Sequence, residues 1–73
     1  MNRKIKKFIY RYNGDPRMDE RVLDLQGSMP FHRVGEILRK KGKYWRVTII
    51  NEDLIMGAQR SIPLYKVFLT DNF

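Results

Sequence analysis

The stretch RKKGKYWRV, Arg39 to Val47, sets Arg39, Lys40, Lys41, Lys43 and Arg46 around Tyr44 and Trp45. Basic side chains neutralise phosphates and release their counterions. An aromatic ring beside them can stack on an unpaired base. The chemistry on offer is the binding of a polyanion. A second basic run opens the chain, where Arg3, Lys4, Lys6, Lys7 and Arg11 all precede the first acid. A formal net charge of +7 on 73 residues favours nucleic acid, an anionic membrane surface or an acidic protein as partner.

Bond-making chemistry has little to work with. The aliphatic hydroxyls are Ser28, Thr48, Ser61 and Thr70, and none sits in a nucleophile elbow. The glycines at 14, 27, 35, 42 and 57 stand singly and follow turn logic, so no phosphate-cradling loop is expected. There is no cysteine, hence no disulfide or thiolate metal site, and His32 alone cannot build a zinc site. In PFHRVG, His32 reads as a surface or capping histidine without a partner. Asp15, Asp19, Glu20 and Asp24 lack the spacing of a calcium loop and read as a solvated acidic loop, leaving one acidic pole. The expectation is a protein that is not an enzyme, with no catalytic residue, no cofactor and no metal.

The elements that must carry the cations are strands, because apolar residues recur with period two rather than 3.6. Strands are expected over Lys4 to Tyr12, Arg21 to Gln26, Glu36 to Lys40, Lys43 to Asn51 and Ile62 to Thr70. NGDP (Asn13 to Pro16) ends the first, GSMP (Gly27 to Pro30) the second, and Gly42 turns the third into the fourth. Pro63 limits the start of the last strand or places it on a sheet edge. Glu52 to Ser61 reads equally as a hairpin continued through Leu54 to Met56, with Glu52 and Asp53 at the turn, or as one helical turn.

Five short strands without an amphipathic helix imply one domain, 1–73. Its expected fold is an all-β meander curled into a small, partly open barrel. An SH3-like barrel is preferred over an OB-like one. VGEILRKKGKYWRV, Val34 to Val47, resembles a general pattern of SH3-like barrels: an apolar residue, Gly, an acid, a short strand, a Gly turn, then an alternating strand. The resemblance implies a fold and carries no function.

Within the fourth strand, Trp45, Val47 and Ile49 share one face, which makes them core and Trp45 an anchor whose indole N–H needs a partner. Tyr44 and Arg46 take the outward face. With Lys40, Lys41 and Lys43 they form a basic hairpin tip. The same residues have a plainer account: lysines on an exposed edge block edge-to-edge aggregation, and Tyr44 pairs across the strands. In the last strand either Leu64 and Phe68 or Tyr65 and Val67 face the core.

The function expected is low-specificity nucleic-acid binding through Lys40, Lys41, Lys43, Tyr44 and Arg46, joined by Lys4, Lys6 and Lys7 of the first strand. The alternative is an accessory subunit that binds an acidic protein. A homodimer through a free strand edge is a further possibility. No apolar run approaches the ~20 residues that span a bilayer, and no signal-peptide core follows the charged start, so a cytoplasmic setting is expected.

Overall fold

The computed structural model describes residues 5–56 and 61–73. Five strands occur: β1 (Lys6–Tyr12), β2 (Asp15–Asp24), β3 (Ile37–Lys40), β4 (Lys43–Met56) and β5 (Ser61–Thr70). No helix occurs among the described residues, so none is long and apolar enough to cross a membrane. The strands form one mixed sheet in the order β2-β1-β5-β4-β3. Two antiparallel arms, β1–β2 and β3–β4–β5, meet where β1 and β5 run parallel in the centre. The expected meander is thus replaced by a sheet in which the last strand inserts beside the first.

The sheet curls into a half-barrel. β2 and β3 stand at opposite ends of the strand order, yet Lys40 Nζ of β3 donates to Glu20 Oε1 of β2 at 3.1 Å. The all-β, partly open barrel is the observed architecture.

Local sequence explains the hairpins. Asn13 and Gly14 both have positive φ, 53° and 71°, the paired left-handed geometry of a two-residue hairpin turn. Asn-Gly is the favoured dipeptide there, so the chain reverses at once and β2 starts at Asp15. Residues 15–20, expected as a solvated loop, are strand. Pro16 fits because β2 is a sheet edge, where a missing N–H breaks no ladder. Lys41 and Gly42, at φ 54° and 78°, make the equivalent turn between β3 and β4. Pro63 lies inside β5, yet the ladder to β1 begins only at Leu64. Glu52 to Met56 continue β4 and pair with β5, so Glu52 and Asp53 lie opposite Tyr65 and Leu64 and not in a turn. The rest of that expected hairpin, residues 57–60, lies outside the described residues.

The inner face carries the core: Phe8, Tyr10 and Tyr12 of β1, Trp45 and Val47 of β4, and Val67 and Leu69 of β5. Trp45 is 2% exposed, packs edge-on against Tyr12 at 4.7 Å and donates its indole N–H to the Lys40 carbonyl. Ile49 departs from expectation, being 52% exposed. A bulge between Val47 and Ile49 adds Thr48 and shifts the alternation, so Ile50 takes the inward place. In β5, Tyr65 and Val67 face in, and Leu64 and Phe68 face out.

Residues 25–36 close over the inner face through a buried polar clamp. Asp24 accepts from the Ser28 and Met29 amides, and Lys6 Nζ, 3.7 Å from Asp24, donates to the Met29 carbonyl and lies 4.3 Å from the Phe31 ring centroid. Burial pushes the Asp24 carboxyl up, but these amides and Lys6 outweigh it and hold it below the usual carboxylate range. Lys6 is only 6% exposed. Lys6→Gln is therefore expected to lower the thermal midpoint and leave any salt dependence of ligand binding unchanged. A thermal melt paired with a salt titration reads both.

Candidate nucleic-acid interface

The expected cationic cluster divides between the two faces of the sheet, because side chains alternate along a strand. Lys40 and Lys43 face each other on the inner side. Lys40 sits 4.0 Å from the Tyr10 ring centroid and pairs with Glu20, and Lys43 lies over Trp45 and pairs with Asp71. Lys41, at the turn, lies 5.0 Å from the Tyr12 ring centroid and is exposed. Lys6 is buried in the clamp, which withdraws it from any surface a large ligand touches. Lys4 lies outside the described residues. Tyr44, Arg46 and Lys7 take the outer face.

On that outer face the register builds a track. Arg39 lies opposite Tyr44, and Arg46 lies between Ile37 and Thr70. Next come Ile49, Phe68 and Arg11 in one row, then Asn51, Lys66, Ile9 and Arg21, then Asp53, Leu64, Lys7 and Leu23. Arg11 also holds Asp19 through two hydrogen bonds of 3.0 and 2.8 Å. Arg39, Arg46, Arg11, Lys66, Arg21 and Lys7 thus face two acids, Asp19 and Asp53.

Three arginines lie against aromatic rings along this track. Arg39 is 5.6 Å from the Tyr44 centroid, Arg46 is 5.0 Å from Phe73, and Arg11 is 5.6 Å from Phe68. Tyr44 is 56% exposed and Phe73 61%. Arg39 and Arg46 make no ion pair among the described residues. Arg39, Arg11, Phe68 and Phe73 are additions to the site residues expected from sequence. Arg39 is recoverable: once Lys41 and Gly42 form a two-residue turn, it must oppose Tyr44. Nothing local signals that the chain end folds against Arg46.

The acids do not form a pole. Along β2, Asp19 meets outward Arg11 while Asp15, Glu20 and Asp24 lie opposite the inward Tyr12, Tyr10 and Lys6, and each has a cation or hydroxyl: Arg17 on Asp15, Arg11 on Asp19, Tyr12 and Lys40 on Glu20, and Lys6 on Asp24. Hydrogen bonds from Arg17, Arg11, Tyr12 and Lys43 hold Asp15, Asp19, Glu20 and Asp71 below the usual carboxylate range. A depressed native pKa means that the unfolded chain binds more protons as the medium acidifies. Stability is therefore present above about pH 4, the unfolded carboxylate range, and lost as pH falls through the native values. At the other end, burial and then the charges of Glu20 and Glu36 push Tyr10 up to about 12, and burial with the bond to Glu20 raises Tyr12. Their contribution is present below about pH 10, the unfolded phenol value, and lost as pH rises above it. Thermal midpoints measured across pH should fall at both ends.

His32 also departs from expectation. Its side chain is 9% exposed. Nε2 is 2.7 Å from the Tyr10 hydroxyl, Nδ1 is 3.4 Å from Glu36, and the ring packs edge-on against Phe8 and Tyr10. It fastens residues 25–36 to the core. Among the described residues no three His, Asp or Glu side chains gather as a metal site. Compared with known proteins, the chain matches no family, no curated protein and no solved structure.

Proposed function

We propose that the chain is a binding module for single-stranded nucleic acid, working through the outer face of β3–β4 and the track that continues across β5 and β1. One observation carries this reading: Arg39, Arg46 and Arg11 lie against Tyr44, Phe73 and Phe68 along one basic sheet face. Phosphates meet the arginines and lysines, and unpaired bases stack on the exposed rings. Duplex offers its phosphates but keeps its bases stacked internally, so single strands gain more from Tyr44 and Phe73. The interface lacks a deep reading helix and is expected to accept many sequences. A cytoplasmic setting, where RNA and exposed single strands occur, suits this activity.

The test is fluorescence anisotropy with short labelled DNA and RNA single strands across a salt series. The affinity should fall linearly in log salt, with a slope of about −0.7 for each phosphate neutralised. Absence of binding at low salt would remove the reading and favour the alternative, an acidic protein as partner on the same face.

A further inference from the structure

An open groove of about 510 Å³ lies beside the track. That is within the ~300–1,000 Å³ usual for small-molecule sites. Its polar lining comes from Asn13, Thr48, Thr70, Asp71 and Asn72, and Phe68 with Ile49 supplies an apolar wall. No lysine or arginine lines it, and a carboxylate does. A phosphate is therefore a poor occupant. The groove adjoins two of the arginine–aromatic pairs, since Thr70 is the strand neighbour of Arg46 and Phe68 that of Arg11. A strand whose phosphates followed these arginines would run beside the groove.

We infer that the groove is a base-reading subsite for guanine, with Asp71 and Asn72 as its reading groups. This rests on the proposed single-strand binding and adds a preference to it. The guanine edge carries two N–H donors beside a carbonyl oxygen. A carboxylate accepts both donors, and a side-chain amide donates to the carbonyl. Lys43 occupies Asp71 Oδ2, the Asn13 side chain also bonds the carboxylate, and the Asp71 amide donates to Asn13 Oδ1, so the carboxylate is anchored and, with about four lone-pair sites, keeps part of its acceptor capacity. The Asn72 backbone is held by Thr70, and its side-chain amide makes no bond among the described residues. Cytosine, adenine and thymine do not present paired donors next to a carbonyl.

The test uses the full chain and thymine oligomers carrying one central guanine, adenine, cytosine or thymine. The guanine strand should bind about tenfold more tightly, the scale of one bidentate base contact. Asp71→Asn should erase that preference while the all-thymine affinity and the salt slope persist. Asn72→Ala, in the exposed C-terminal segment, should weaken the preference by itself and serves as the second variant if Asp71→Asn alters folding. Equal affinity for the four strands, with a normal salt slope, would overturn the guanine subsite and leave single-strand binding standing. No binding to any strand would overturn both.

Discussion

Trp45→Ala should leave the chain largely unfolded at room temperature. The side chain fills the inner face against Tyr12, and its N–H satisfies the Lys40 carbonyl at the end of β3. Replacing a buried tryptophan by alanine costs about 3–5 kcal/mol. A domain this small holds a core worth rarely more than about 3–5 kcal/mol, so the loss equals the whole margin. Trp45 is the only tryptophan, and native fluorescence should therefore be blue-shifted and poorly quenched. Trp45→Phe keeps a ring and loses the donor, and should cost about 1 kcal/mol for the hydrogen bond in addition to the poorer packing. Denaturant unfolding followed by circular dichroism separates the two variants. A Trp45→Ala chain with an unchanged midpoint would mean that the inner face is not the core.

How much of this is legible in the sequence follows from what local patterns encode. The alternation Tyr44, Trp45, Arg46, Val47 assigns faces without any structure, and the core includes Trp45 and Val47 as that alternation requires. The same rule fails two residues later, because the bulge at Thr48 has no signature in TIIN and alternation cannot report its own interruption. The first half of β2 reads as a loop because acids and a proline dominate it. The favourable Asn13–Gly14 turn is the stronger signal, since it commits the following residues to pairing. The strand order is beyond reach: each strand's pattern shows that it has a buried face and does not name its neighbour. The parallel pairing of β1 with β5 joins residues nearly a chain length apart. Lys6 and His32 read as surface groups because their partners, Asp24, Met29, Tyr10 and Glu36, become neighbours only when residues 25–36 fold back.

Tyr44→Ala should weaken single-strand binding by about 1–3 kcal/mol, the worth of one base stacked on an aromatic ring. The cations that meet the phosphates survive in that variant, so its salt slope should stay near that of the parent. The ring is exposed and lies outside the core, so the fold should be unaffected. Loss of slope together with affinity would assign Tyr44 to positioning Arg39, its cross-strand partner, rather than to stacking.

The outer face is the central claim, and the salt slope of two matched variants tests it most directly. Arg39→Gln with Arg46→Gln removes two cations from the outer face, while Lys40→Gln with Lys43→Gln removes two from the inner face of the same hairpin. Both variants lower the net charge equally, so a general charge effect cancels. With single-stranded oligonucleotide, the outer-face variant should flatten the slope by about 1.4, at about 0.7 for each phosphate no longer neutralised, and the inner-face variant should match the parent. A slope that flattens for the inner-face variant and holds for the outer-face one would contradict the account and move the interface to the concave side of the sheet.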